Sequence, residues 1–310
     1  MCVGSKETSV GLRGKAGNCY NELNAMSEHK LQRFVRSGAA SGQFRIQPRD
    51  IALIRDIASY QFLSSAQILA LHPGSRRNLQ RRLTLLFRLG YVERPLAQKD
   101  NSLPSDFLVY SLGKKGASLA FADKRDVQTW VRRNAKISSP NLAHALMVSQ
   151  FRTALMLALP KRGGEVARWL QGYDLKDELT AKGRSPALVP DGFFTVKLGG
   201  KQWHFFLEAD RSTMTHHRFL AKMRTYWTWF VEKTYNDHLH FQSFRVLTIT
   251  NTAGRRDNLR VATKSADTRR TGSGLFLFGY EKDYTLDNPA SVLQSIWLSA
   301  KDDAAHPLFE

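Results

Sequence analysis

The chain reads as an α/β protein in two domains, a small winged helix-turn-helix followed by an α/β domain with a mixed central sheet. Three observations carry that reading. Between Pro48 and Gly90, apolar residues recur at helical spacing in three segments, and Pro73-Gly74 breaks the chain before the third. From Asn141 onward the periodicities run helix, three strands, helix, strand, helix, strand, the order of a sheet covered on both faces. Trp203 to Asp210 (W-H-F-F-L-E-A-D) is a nearly unbroken apolar run ending in carboxylates, which marks a buried strand.

The first helix is set by Ile51, Leu53, Ile54, Ile57 and Ala58 behind Pro48, a residue suited to a first turn, and runs to about Tyr60. Ser64 and Ser65 are cap candidates for a second helix through Ile68, Leu69 and Leu71. The third follows Ser75 (R-R-N-L-Q-R-R-L-T-L-L-F-R-L) and stops at Gly90. Leu79, Leu83 and Leu86 make its core stripe, while Arg77, Arg81, Thr84 and Arg88 fall on the opposite stripe, with Arg76, Asn78 and Gln80 crowding the N-terminal end. A recognition helix offers side chains to base edges and phosphates in that place, although a solvated basic face has the same pattern. Y-V-E-R-P and F-L-V-Y-S-L then predict two short strands around a polar wing loop, Gln98 to Asp106, with Lys99 on it. A closing helix over Gly113–Phe121 carries Lys114 and Lys115 near its start.

These boundaries divide the chain into a flexible basic arm (1–45), a winged-helix domain (46–122), a polar linker (123–140) with at most a helical turn at Val127–Val131, and an α/β domain (141–310). The arm holds room for a short helix around Glu28–Val35.

Composition agrees with a polyanionic partner. Lys and Arg number 46 against 27 Asp and Glu, a formal net charge of +19 and a pI near 10.1. No stretch reaches the ~18 consecutive apolar residues of a membrane span, and the start M-C-V-G-S-K-E-T has no apolar leader segment. Cys2 and Cys19 form no C-x-x-C pair, which fits a reducing cytoplasm and leaves no cysteine zinc site.

In the second domain, a helix from Asn141 to Leu159 buries Met147, Phe151, Ala154, Leu155 and Ala158, with His144 and Gln150 beside that face. Val166–Leu170 is a short strand, followed by a loop to Pro186. Leu188–Val196 and Trp203–Asp210 then pair as a hairpin through the Gly199-Gly200 turn. Alternation puts Trp203, Phe205, Leu207 and Ala209 on one face and His204, Phe206, Glu208 and Asp210 on the other, with Asp191 close to the two acids. Ser212 is the expected cap of a helix running to about Thr234. Phe244–Thr250 is a strand, Arg255–Ser265 a basic helix, Leu275–Tyr280 a strand, and Pro289–Ser299 a final helix.

Phosphodiester cleavage needs a divalent cation held by one or two carboxylates, with positions left for water and phosphate. Asp191 and Glu208 are placed for that. The motif Pro190-Asp191 followed by Glu208-x-Asp210, in this order of elements, resembles the PD-(D/E)XK nuclease superfamily over about Asn141–Tyr280. With the N-terminal winged helix and the runs F-F-L-E-A-D-R-S-T and K-M-R-T-Y, the whole chain resembles the replication-relaxation family of plasmids and integrative elements. The resemblance implies a restriction-endonuclease-like second domain, action in replication, mobilisation or its control, and Mg or Mn at Asp191 and Glu208 if the site is active. One position departs from the nuclease pattern: the usual Lys two residues after the Glu is Asp210, so Lys222, Lys197 or Lys201 would have to replace it, with Asp210 otherwise capping the turn or pairing with Arg211 or Arg224.

The expected partners are double-stranded DNA, replication or mobilisation proteins and a second copy of the chain, with no membrane. Three functions stay open: a DNA-binding assembly factor for a mobile element, a metal-dependent endonuclease using Asp191, Glu208, Asp210 and Lys222, and a winged-helix repressor. Gly199-Gly200-Lys201 lacks the spacing of a phosphate loop, and His216-His217 and His238-x-His240 lack a companion acid motif.

Overall fold

The computed structural model describes residues 33–36, 44–99, 108–121, 124–180, 186–235 and 239–309. Most of the expected arm, the tip of the wing loop, both cysteines and His238 lie outside them.

The N-terminal part is built as its caps dictate. Helix α1 (Pro48–Tyr60) starts on its proline, and Asp50 accepts the Gln47 N–H at 2.7 Å. Strand β1 (Leu63–Ser64) leads into α2 (Ser65–Leu71), where Ser64 and Gln67 cap each other reciprocally. Helix α3 (Arg76–Leu89) begins at Ser75 and ends at Gly90 in the left-handed conformation. Strands β2 (Val92–Glu93) and β3 (Val109–Leu112) join β1 in an antiparallel sheet of order β1-β3-β2, and α4 (Lys114–Ala120) follows. Leu53, Ile54 and Ile57 of α1, Leu79, Leu83 and Leu86 of α3, and Tyr110 and Leu112 of β3 form one core. The strand β1 has no counterpart in the sequence reading: two residues are too short to show a period. The expected polar linker is instead largely helix α5 (Lys124–Ala135), because Val127 is buried and Trp130 packs on Phe121 at 5.6 Å.

The second part is a mixed seven-stranded sheet. Its strands are β4 (Glu165–Leu170), β5 (Gly192–Leu198), β6 (Lys201–Asp210), β7 (Arg245–Thr250), β8 (Phe276–Tyr280), β9 (Trp297–Ser299) and β10 (Ala305–His306), in the order β10-β9-β8-β7-β6-β5-β4. The central β6-β7-β8 pairings are parallel and the outer ones antiparallel. Gly199 (φ 58°) and Gly200 (φ 74°) make the β5–β6 turn with both backbones left-handed, which side chains beyond Cβ disfavour. Helix α6 (Ser139–Ala158) covers one face, packing Phe151 and Leu155 against Phe205, Leu207 and Ala209. Helices α8 (His216–Glu232) and α9 (Ala253–Thr263), with α7 (Gly172–Glu178), cover the other, against Phe193, Phe206 and Val246. Alternation along β6 therefore sorts the faces as the sequence predicts.

Three expectations change. The loop to Pro186 contains α7, anchored by Leu175 and Leu179 at helical spacing. Thr215, not Ser212, caps α8, its hydroxyl accepting the Arg218 N–H. The expected final helix is a 3-10 turn at Pro289–Leu293 followed by β9 and β10: Trp297 fills the place of a side chain over Gly279, where a Cβ would stand 2.1 Å from the indole.

Helix α6 also holds the two parts together. Ser149 Oγ donates to Phe62 O (2.8 Å), and Gln67 Nε2 donates to Leu146 O (3.3 Å) and Gln150 Oε1 (3.2 Å). Arg152 donates to Ser59 O (2.7 Å) and Oγ (2.6 Å), with its guanidinium 4.0 Å from the Tyr60 ring centroid. By length and composition Ser139–Arg162 could cross a membrane, but it is mostly buried inside the protein as a core helix.

Candidate nucleic-acid interface and acidic cluster

The exposed side of α3 presents Arg76, Arg77, Asn78, Gln80, Arg81 and Arg88 to solvent. All of these but Arg76 border an open groove with Gln47 and Arg49 from the start of α1. Among the described residues Arg77, Arg81 and Arg88 have no ion pair. Arg82, between them in sequence, behaves oppositely: it forks onto the fully buried Asp50, with Nε 2.6 Å from Oδ1, and donates to Arg45 O at 2.9 Å. Thr84 also lines this groove, half-buried, with its hydroxyl accepting from Arg94 at 2.9 Å. Lys99 is exposed at the end of a 3-10 turn, Leu96–Lys99, 5.0 Å from the Phe34 ring centroid. Lys114 and Lys115 are exposed at the start of α4, with Lys115 over the Tyr91 ring at 5.8 Å.

The acidic cluster lies where β5 begins and β6 ends. Gly192 pairs with Leu207, so Asp191, one residue earlier, comes opposite Glu208. The Asp191 N–H donates to Leu207 O (3.1 Å), and Asp191 Oδ2 accepts the Ala209 N–H (2.8 Å), which fixes the carboxylate beside β6. From α6, His144 Nε2 comes within 3.2 Å of Asp191 Oδ1. From α8, Lys222 Nζ bonds Glu208 Oε2, and one turn on, Tyr226 OH donates to Oε1 at 2.5 Å. Three elements thus bring Asp191, Glu208, Lys222, His144 and Tyr226 together.

Electrostatics follow from that packing. Burial, helped by the Asp191 charge, pushes the Glu208 carboxyl up to about 7 against the pull of Lys222 and Tyr226. Burial also works to raise Asp191, but His144, Lys222 and the Ala209 N–H outweigh it and hold Asp191 below the usual range. Burial would lower His144 and Lys222; the acids prevail and raise both. Tyr226 is raised well above its ordinary value by burial and by Glu208. A perturbed group beside specific charge partners is a mark of functional sites.

Asp210 is not part of the cluster. Arg255 grips it through Nε (2.8 Å) and a terminal nitrogen (3.0 Å), and the Ser212 N–H adds a third bond at 2.8 Å. Its ion-pair partner is therefore Arg255 rather than Arg211 or Arg224, and the Ser212 bond is the expected cap of the turn. Lys197, near the other end of β5 from the acids, pairs with Glu165 at 3.6 Å, and Lys201 is exposed beside the Gly-Gly turn, so Lys222 is the lysine that meets Glu208. Among the described residues no three His, Cys, Asp or Glu side chains form a metal-holding group. The four oxygens of the two facing carboxylates are engaged by His144, the Ala209 N–H, Lys222 and Tyr226, so they do not form a preformed metal cage.

Tyr226, Arg152 and the Asp50–Arg82 pair escaped sequence reading. Tyr226 was legible only as a core aromatic, yet its spacing of four from Lys222 signals a shared helix face.

The sequence profile of the replication-relaxation family matches residues 54–241, spanning the three-helix unit, α6, the acidic hairpin and α8. No curated protein and no solved structure matches the chain. Since the match covers more than half of the 310 residues, the chain belongs to the replication-relaxation family.

Proposed function

We propose that the protein binds double-stranded DNA through α3 of a winged-helix domain and acts, in the cytoplasm, in the replication or mobilisation of a plasmid or other mobile element. The observation that supports this reading is the row Arg77, Arg81 and Arg88, exposed on α3 and without ion pairs among the described residues, beside an Arg82 that the fold has paired. Arg77, Asn78, Gln80 and Arg81 are the side chain types that read base edges, and Arg88 and the cations of α4 suit phosphates. Fluorescence anisotropy with labelled duplexes tests it: the wild-type chain binds, with affinity falling steeply as salt rises, and Arg77→Ala with Arg81→Ala weakens site preference. Equal preference in that variant removes α3 as the reader.

A second reading, cleavage of DNA by a PD-(D/E)XK-type site, is favoured by one further observation: Lys222 reaches Glu208 from α8, supplying a cation that the motif position itself lacks. Asp191 and Glu208 would hold Mg or Mn, which supplies an activated water when bound. Lys222 would neutralise the phosphate, Tyr226 would hold Glu208 in place, and His144 would hold Asp191. Supercoiled plasmid with Mg or Mn should be nicked or linearised by the wild type and spared by Asp191→Ala and by Glu208→Gln. Cutting that persists in both variants, or intact plasmid with the wild type, contradicts this reading and leaves DNA binding by α3 standing.

A further inference from the structure

We propose a second DNA contact: the exposed face of α8 beside the acidic cluster takes phosphates of the DNA backbone, chiefly through Arg218 and Arg224. The inference rests on the reading of the protein as a DNA binder and adds a surface that α3 does not supply.

The first sixteen residues of α8, His216–Val231, contain His216, His217, Arg218, Lys222 and Arg224 and no acid; the first is Glu232. His217, Arg218 and Arg224 are exposed, and among the described residues neither arginine has an ion pair. Arg218 stands four residues before Lys222, and Lys222 four before Tyr226, so these three share one flank of the helix, leading from solvent to Glu208. Arg224 lies further round the exposed side, and the residues between, Ala221, Thr225 and Thr228, are short and leave a backbone free to approach.

The neighbouring helix makes the contrast. Two cations near the start of α9 are both neutralised: Arg255 by Asp210, and Arg256 by Asp257 (2.9 Å) and Asp283 (3.4 Å). The fold thus supplies acids where an arginine serves packing. To Arg218 and Arg224 of α8 it supplies none among the described residues, although a cation in a first turn, as Arg218 is, opposes the helix dipole. Two exposed arginines without ion pairs, one of them placed against helix stability, next to a carboxylate pair are suited to a polyanion that brings its own charge. Evenly spaced phosphates of a nucleic-acid backbone are that ligand, and a strand held by Arg218 would pass the mouth of the Asp191–Glu208 cluster.

Binding of a labelled duplex to the full chain, followed from low to high salt, tests the proposal. The slope of log affinity against log salt counts phosphates contacted, at about 0.9 per contact. Arg218→Ala with Arg224→Ala should make the slope shallower by about 2, while Arg218→Lys with Arg224→Lys keeps it. Lys161→Ala with Arg162→Ala, an equal loss of charge on an exposed turn near the opposite end of the β5–β6 hairpin, should leave the slope unchanged. An unchanged slope in the α8 alanine pair, an equal fall in the control pair, or a shallow slope in the lysine pair overturns this surface and spares α3. Absence of DNA binding by the wild type overturns both.

Discussion

The α3 face and the acidic cluster use charge in opposite ways. On α3, Arg77, Arg81 and Arg88 stand in water with no ion pair among the described residues, so they interact through a long-range, salt-screened field. In the cluster, Glu208 is 3% exposed and every charge has a partner within hydrogen-bond reach. The first arrangement costs the fold little and leaves the cations open to solvent. The second is part of the fold, and removing one member leaves another buried and uncompensated. The same residue type therefore divides by partner: Arg82, Arg152 and Arg255 hold the structure, whereas Arg77 and Arg81 do not.

The largest effect should come from Arg82→Met. It leaves Asp50, which is 0% exposed, without its cation, and breaking such a pair costs about 3–5 kcal/mol. Urea unfolding should show the loss, and Asp50→Asn in the same chain should recover part of it; an unaltered midpoint would mean that Asp50 is not held by Arg82.

Lys222→Met should come next, with a pH signature. Glu208 has a folded value of about 7 against an ordinary 4.5, so its contribution to stability is fully present below about 4.5 and lost as pH rises through about 7. Lys222 pulls that value down, and its removal extends the loss to higher pH. Lys222→Met should therefore be more damaging at pH 8 than at pH 5, and Glu208→Gln should flatten the decline of stability between those values. A Lys222→Met penalty independent of pH would separate the lysine from Glu208.

Much of this was legible in the chain. Caps and punctuation are local, so Pro48, Ser64, Ser75 and Gly90 placed the first three helices, and alternation sorted the faces of β6. Asp191 and Glu208 were legible because the Gly199-Gly200 turn sets the register of the hairpin. Failures came where distant contacts decide. Val292, Leu293, Ile296 and Trp297 have helical spacing, yet pairing of β9 with β8 wins there. Asp210 looked like a member of the acidic site because it shares a strand face with Glu208; only the position of Arg255, 45 residues on, shows otherwise. Val127, Trp130 and Val131 did carry a helical period, but polar neighbours masked it.

The smallest effect on folding belongs to Arg77→Ala with Arg81→Ala, within about 0.5 kcal/mol for exposed sites, against about 1–3 kcal/mol of base discrimination for each arginine that reads a base. Measuring both quantities on this one variant, affinity for labelled duplexes beside urea stability, tests the division between unpaired and paired cations most directly. The account predicts that DNA affinity and site preference fall while the unfolding midpoint stays at the wild-type value. Wild-type affinity and preference, or a loss of binding that merely follows a loss of stability, would contradict it.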